Sequence, residues 1–106
     1  MGGIRRDLSL AVPEPEAAED LGDRVREALG DDADLIEEVA VLSETRCEAL
    51  PSAAVERLGM VPGQKNVLVR LVIRPFRRTL SDSEANRIRN RVYAALHRST
   101  AEQWAE

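Results

Sequence analysis

Apolar and polar residues alternate along three stretches of the chain, and this alternation predicts strands. In the first stretch Leu8, Leu10 and Val12 are apolar, and in the second Val39 and Val41 fall on the side expected to be buried. A period of two is typical of strands, because successive residues point to opposite faces of a sheet. Strands are therefore predicted at residues 5–12, 35–43 and 66–74.

Two other stretches place apolar residues three and four positions apart, which is typical of a helix with one buried face. They predict helices at residues 16–29 and 82–98. Ser81 and Glu84 have the spacing of a capping box, in which each side chain bonds a backbone N–H of the other residue. Between the second and third strands lies a long connection, residues 45–64, with signals for a short helix at 51–58. Residues 101–106, which include Trp104, are expected to add a short last strand.

The order of these elements predicts the fold class. Each of the two main helices has a single apolar stripe, so both are expected to cover the same face of one sheet. The predicted architecture is α+β, a ferredoxin-like βαββαβ sandwich whose antiparallel sheet has two helices on one face and its other face open. A length of 106 residues suits one compact core, so residues 1–106 are expected to form a single domain.

Charge is distributed unevenly along the chain. The net charge is −4 and the isoelectric point is near 5.1, which argues against a sequence-independent nucleic-acid binder. However, residues 1–56 hold 5 basic and 15 acidic side chains, whereas residues 57–106 hold 10 basic and 4 acidic ones. Either the two halves neutralise each other within the molecule, or one surface repels polyanions and another attracts them.

The residue inventory offers no catalytic or metal-binding set. With one cysteine, Cys47, and one histidine, His97, the chain has no internal disulfide and no thiolate metal cluster. We expect Cys47 to be an inert or half-exposed loop residue and His97 to complement the dipole at a helix end. No cofactor and no enzymatic activity are predicted. No apolar run approaches the ~20 residues of a membrane span, and a reducing cytoplasm is the expected compartment.

The open face of the predicted sheet has no aromatic residue for base stacking, unlike a typical RNA-recognition motif. Arg70 and Arg74 lie on one side of the third strand. Either they contact phosphates or base edges, or they pair across strands with acidic residues. The acidic candidates for such pairing are Glu38, Glu44 and Asp7.

Four segments, taken in order, resemble the ferredoxin-fold anticodon-binding domain that ends phenylalanyl-tRNA synthetase chains. Arg6-Asp7-Leu8 looks like the "RDL" of the family's first strand, and residues 35–39 are similar to its second strand. Residues 65–71 match the third strand, which often opens with lysine and carries a central arginine. The most specific piece is residues 78–86, similar to the "RTL(T/S)DxExN" that precedes and opens the family's second helix.

The resemblance implies a non-catalytic tRNA-binding domain that contacts the anticodon arm. Its expected partners are tRNA, specific for phenylalanine, and a catalytic domain or subunit of a synthetase. The chain departs from the family at residues 44–47, where relatives often carry an aromatic residue. The residues expected to bind RNA, mostly through phosphates, are Arg70, Arg74, Arg78, Arg87 and Arg91, with Asn66 and Arg46 as weaker candidates.

Two other functions fit the same element order. One is a regulatory module that binds a small molecule and dimerises edge to edge. Such modules usually place a glycine-rich loop after the first strand, where this chain has Pro13-Glu14-Pro15. The other is a structural domain that docks onto a parent enzyme through apolar residues of the open face, namely Leu42, Leu68 and Val72.

Overall fold

A computed structural model describes residues 3–74 and 81–97 of the chain. It confirms the predicted order of strands and helices over these residues. The strands are β1 (Ile4–Pro13), β2 (Ile36–Arg46) and β3 (Gln64–Ile73), and the helices are α1 (Ala18–Leu29), α2 (Ser52–Leu58) and α3 (Asp82–Leu96). Two 3-10 turns, Gly30–Leu35 and Cys47–Ala49, precede and follow β2. The predicted last strand at 101–106 and the candidate Arg78 lie outside the described residues.

The three strands form one antiparallel sheet in the order β1-β3-β2. β3 is central, and its Arg70 lies opposite Asp7 of β1 on one side and Ala40 of β2 on the other. Because both outer strands run antiparallel to β3, they run parallel to each other. α1 makes the connection between them, and the described part of the chain is an α+β structure.

The main core lies between one face of the sheet and the two long helices. β1 contributes Leu8, Leu10 and Val12, each with 0% exposure, which confirms the alternation seen in the sequence. α1 and α3 pack on this same face and on each other. The principal contributions from the other elements are Leu21, Val25 and Leu29 of α1, Val67, Val69, Leu71 and Ile73 of β3, and Ala85, Ile88 and Val92 of α3.

α3 runs alongside β1 in the same direction, as contacts at its two ends show. Near its start, the Arg6 guanidinium donates to the side-chain oxygen of Asn86. At its other end, the Ala11 backbone N–H donates to Nδ1 of His97 at 3.0 Å. The start of α3 therefore lies at the end of the sheet where β3 finishes and where Ile73 has Ile4 and Ile36 beside it. We call this the exit end, and the end with Lys65 and Arg46 the opposite end.

The N-terminus of α3 is fixed by the predicted capping box. The Ser81 hydroxyl accepts the backbone N–H of Glu84, and the Glu84 carboxylate accepts the backbone N–H of Ser81, both at 3.2 Å. The two bonds satisfy backbone donors that the first turn of a helix leaves unpaired.

β2 differs from its predicted bounds. It begins one residue later, because Leu35 belongs to the preceding 3-10 turn, and it continues to Arg46, which lies opposite Lys65. Its register with β3 shifts between Ile36 and Glu38 and between Val41 and Ser43. The extra residues, Glu37 and Leu42, make two bulges in this strand. Hydrophobic alternation does not reveal bulges, because each one resets the pattern.

The long connection corrects two expectations, the fully open second face of the sheet and the half-exposed Cys47. A second, smaller cluster covers this face at Ala11, and Cys47 is 8% exposed within it. Leu58 and Met60 close the cluster, because Gly59 ends α2 in the left-handed conformation (φ 66°, ψ 32°) and reverses the chain. A shallow groove of about 550 Å³ runs along the outer side of this connection.

Candidate nucleic-acid interface

Arg70, the central candidate, makes a bidentate ion pair with Asp7 on the adjacent strand. Its Nε donates to Oδ1 at 2.9 Å and its Nη2 donates to Oδ2 at 3.1 Å. The two side chains are 36% and 41% exposed, so solvent reaches both. The hydrogen bond from Arg70 lowers the pKa of Asp7 below its usual value, with a smaller contribution from the charge of Arg5. The same bond raises the pKa of Arg70.

Arg74 lies just beyond β3 and pairs with Glu37 in the first bulge of β2. Nη1 of Arg74 is 2.7 Å from Oε1 of Glu37, and both side chains are exposed. The Arg74 backbone N–H donates to the Leu35 carbonyl at 2.7 Å, which joins the end of β3 to the start of β2. Arg74 is therefore fixed through its backbone, while its guanidinium remains at the surface.

The two α3 candidates differ in what surrounds them. Arg91 donates to Asp32 at 2.6 Å and to the carbonyls of Ala28 and Leu29 at 3.3 and 3.1 Å. It thereby satisfies carbonyls at the C-terminus of α1, where a positive charge is favoured. Arg87 is exposed, and the described residues give it no acidic partner.

The two weaker candidates lie at the opposite end of the sheet. Asn66 donates from Nδ2 to the Ser9 hydroxyl at 2.7 Å and to the Leu10 carbonyl at 3.1 Å. Its amide donors are thus used to join β3 to β1. Arg46 is 72% exposed and lies 3.6 Å from Glu14 and 4.0 Å from Glu48.

The structure therefore divides the described candidates by position. Arg70 lies on the sheet face turned away from α1 and α3, whereas Arg87 and Arg91 belong to α3, on the other side of the sheet. Arg70, Arg74 and Arg87 nevertheless share the exit end, because Arg87 follows Asn86, whose side chain contacts Arg6. Asn66 and Arg46 are near Ala11 and Lys65 at the opposite end.

Ion pairs between the acidic and basic halves of the chain neutralise part of the charge difference between them. Arg70, Arg74 and Arg91 each pair with an acid from residues 1–56, and so does Lys65, whose Nζ is 2.6 Å from Glu44. Pairing of Arg70 with Asp7 was one alternative that the sequence indicated. The sequence pointed to neither Glu37 nor Asp32, because a bulge and a helix-to-turn contact leave no periodic signal.

Arg6 is a residue that sequence reasoning did not select. Its Nε donates to Oδ1 of Asn86 at 2.8 Å, and its Nη2 donates to Oδ1 of Asp82 at 3.1 Å. Arg6 thus joins β1 to the first two turns of α3. The signal was present, because Arg6 and Asn86 both belong to segments that carry the family resemblance.

Cys47 and His97 do not form a reactive site. Cys47 is buried in the small cluster beneath α2, whereas the His97 ring stacks on Tyr93, with ring centroids 4.5 Å apart, and accepts from Ala11. His97 lies at the C-terminal end of α3, as the sequence indicated, and its ring also joins this end of the helix to β1. Within residues 3–74 and 81–97, no group of three or more histidine, cysteine or acidic side chains is arranged to hold a metal ion.

Comparison of the sequence with protein-family models and with curated proteins gives no match. Among the helices that the structure describes, none has the length and apolar character needed to cross a membrane.

Proposed function

We propose that the chain is a ferredoxin-like, non-catalytic domain that binds the anticodon arm of a tRNA. Its described elements would be the first five of a βαββαβ unit, with the long connection inserted before β3. The strand order β1-β3-β2 is in keeping with this arrangement. The resemblance makes phenylalanine tRNA the expected ligand and a synthetase catalytic domain or subunit the expected partner, in a reducing cytoplasm.

One observation carries this proposal: the segments that resemble the family contact one another. Arg6 of the first segment bonds Asp82 and Asn86 of the last, and Asp7 of the first bonds Arg70 of the third. The bonds from Arg6 join residues of two such segments that lie 80 and 76 positions apart in the sequence. The shared residues form two sets of polar contacts, one joining Arg6 to Asp82 and Asn86 and one joining Asp7 to Arg70, and these support a common fold and with it the family's function.

The exit end is the surface best suited to RNA. Arg70, Arg74 and Arg87 lie there with exposed or half-exposed guanidinium groups. A protein with a net charge of −4 needs such a local concentration of arginine to attract a polyanion. The described sheet offers no aromatic side chain, so phosphate contacts would supply most of the affinity.

Fluorescence anisotropy with labelled phenylalanine tRNA, at two salt concentrations and against an unrelated tRNA, tests this function. We expect tighter binding to the first tRNA and weaker binding at the higher salt concentration. Arg87→Glu should weaken binding, whereas Arg57→Glu, the same charge change on exposed α2, should have little effect. Failure of the wild-type protein to bind either tRNA at micromolar concentrations would contradict the proposal.

A second candidate function, docking onto a parent enzyme, is favoured by one observation. Leu42 protrudes from the second bulge of β2 with 43% exposure, and Leu68 lies nearby on the face turned away from the long helices. By contrast, the bulges and the acidic Glu37 and Glu38 oppose the edge-to-edge pairing expected of a small-molecule module. Strong binding to a synthetase fragment that Leu42→Lys abolishes, without any tRNA binding, would support docking.

A further inference from the structure

The Asp7–Arg70 pair has the geometry of an arginine–phosphate contact. The guanidinium donates two nearly parallel hydrogen bonds to two oxygens of one anionic group, as it would to a phosphate. Since Arg70 lowers the pKa of Asp7, the carboxylate is charged at neutral pH. Asp7 therefore occupies the position that an RNA phosphate would need in order to bind Arg70.

The Asp7 carboxylate can also be replaced as the partner of Arg70 at little cost in stability. Both side chains are more than one-third exposed, and ion pairs at such positions contribute little to stability. Arg91 is different, because its guanidinium also bonds two backbone carbonyls and would lose three partners on moving. Of these two arginines, Arg70 is the one that an incoming phosphate can recruit without disturbing the helices.

We propose that Asp7 competes with RNA phosphates for Arg70 and thereby limits the affinity of the domain for RNA. This inference rests on the proposed function. In the free protein Arg70 is neutralised internally, so RNA gains the Arg70 contact only by displacing a carboxylate, which then remains near the bound phosphate. Removal of the Asp7 charge would make Arg70 available from the start.

Two measurable consequences follow. Tighter binding is expected for Asp7→Asn, by up to about fivefold, since this is the scale on which an exposed ion pair competes. Its binding should also depend more steeply on salt, because a free arginine contributes one more phosphate contact. Each such contact makes the plot of the logarithm of affinity against the logarithm of salt concentration steeper by roughly 0.7 to 0.9.

Anisotropy titrations with labelled phenylalanine tRNA over a salt series test the proposal with Asp7→Asn, Arg70→Gln, the double variant and Asp23→Asn. Asp23→Asn makes the same charge change on the exposed surface of α1. We expect Asp7→Asn to bind more tightly and with a steeper salt slope than Asp23→Asn, and this gain to vanish when Arg70 is glutamine. Thermal unfolding of each variant checks that the sheet is intact.

Two results separate the failure of this inference from that of the proposed function. If Arg87→Glu weakens tRNA binding but Asp7→Asn resembles Asp23→Asn, competition by Asp7 is overturned and the tRNA-binding function stands. A gain that persists in the Arg70→Gln background overturns it equally, because the effect would not pass through Arg70. If the wild-type protein and every variant fail to bind tRNA at any salt concentration, both proposals are overturned.

Discussion

At the scale of single residues, the use of each arginine depends on how many partners it has. Arg91 and Arg6 each contact more than one group on a neighbouring element, so both serve mainly to hold helices in place. Arg70 and Arg74 each have one carboxylate partner at the surface. Arg87 lacks an acidic partner within the described residues. The same residue type therefore ranges from a structural tie to a charge available for a ligand.

The bond between Arg6 and Asn86 gives a prediction at this scale. Asn86→Ala removes the acceptor of a partly buried, charged hydrogen bond and should lower the free energy of unfolding by about 1–2 kcal/mol. Arg87→Ala, one position along α3 and exposed, should change it by less than about 0.5 kcal/mol. Urea denaturation of both variants measures the difference. Equal effects would mean that Asn86 does not hold α3 to β1.

The lowered pKa of Asp7 gives a prediction about pH. In the unfolded chain an aspartate titrates near pH 3.9, and in the folded protein Arg70 moves this titration to lower pH. The contribution of the Asp7–Arg70 pair to the free energy of unfolding is therefore fully present above about pH 4 and is lost as the pH falls through the pKa of Asp7 in the folded protein. Denaturation from pH 7 to pH 2 should show the wild-type advantage over Asp7→Asn shrinking only in the acid range. An advantage that is constant over this range would exclude the ion pair as its source.

At the scale of elements, the sequence predicted what depends on periodicity and on local signals. The alternation in β1 and β3 placed Leu8 and Val69 in the core, and the Ser81–Glu84 spacing placed the start of α3. Periodicity could not reveal the two bulges of β2 or the burial of Cys47. The bulges arise from pairing with β3, and Cys47 is buried by the long-range return of the connection over Ala11.

The cluster beneath α2 is small and separate from the main core, so we expect it to open on its own. Its four buried members are Ala11, Cys47, Leu58 and Met60. Leu58→Ala should weaken it by roughly 2–5 kcal/mol. The reactivity of the Cys47 thiol toward a disulfide reagent should then rise at least about tenfold in native buffer, because local opening exposes it.

A matched substitution in the main core controls this experiment. Leu21→Ala, at a fully buried position of α1, should lower the global unfolding midpoint. It should leave the reactivity of Cys47 in the native state nearly unchanged, since Leu21 belongs to the main core and not to the small cluster that contains Cys47. If both variants raise the reactivity in proportion to their global destabilisation, the connection unfolds only with the whole protein.

At the scale of the whole molecule, the acidic and basic halves of the chain interleave through the sheet. β3 comes from the basic half and lies between two strands from the acidic half. Arg70 within β3 and Arg74 just beyond it therefore reach carboxylates on either side. The composition left open whether the two halves neutralise each other or form two charged surfaces, and the ion pairs across the sheet favour neutralisation over much of the molecule. The two ends of the sheet still differ in positive charge, since Arg70, Arg74 and Arg87 all lie at the exit end.

This polarity predicts that two similar arginines will differ in their effect on RNA binding. Arg74 and Arg46 are both exposed and ion-paired, and they are separated by roughly 30 Å along β3. That separation is about three Debye lengths at 0.1 M salt, so each charge acts only near its own end. Arg74→Gln should weaken the binding of phenylalanine tRNA and lower its salt slope by about 0.7 to 0.9, whereas Arg46→Gln should change neither. Equal losses from both variants would mean that the RNA lies along the length of the sheet, and a loss from Arg46→Gln alone would place it at the opposite end.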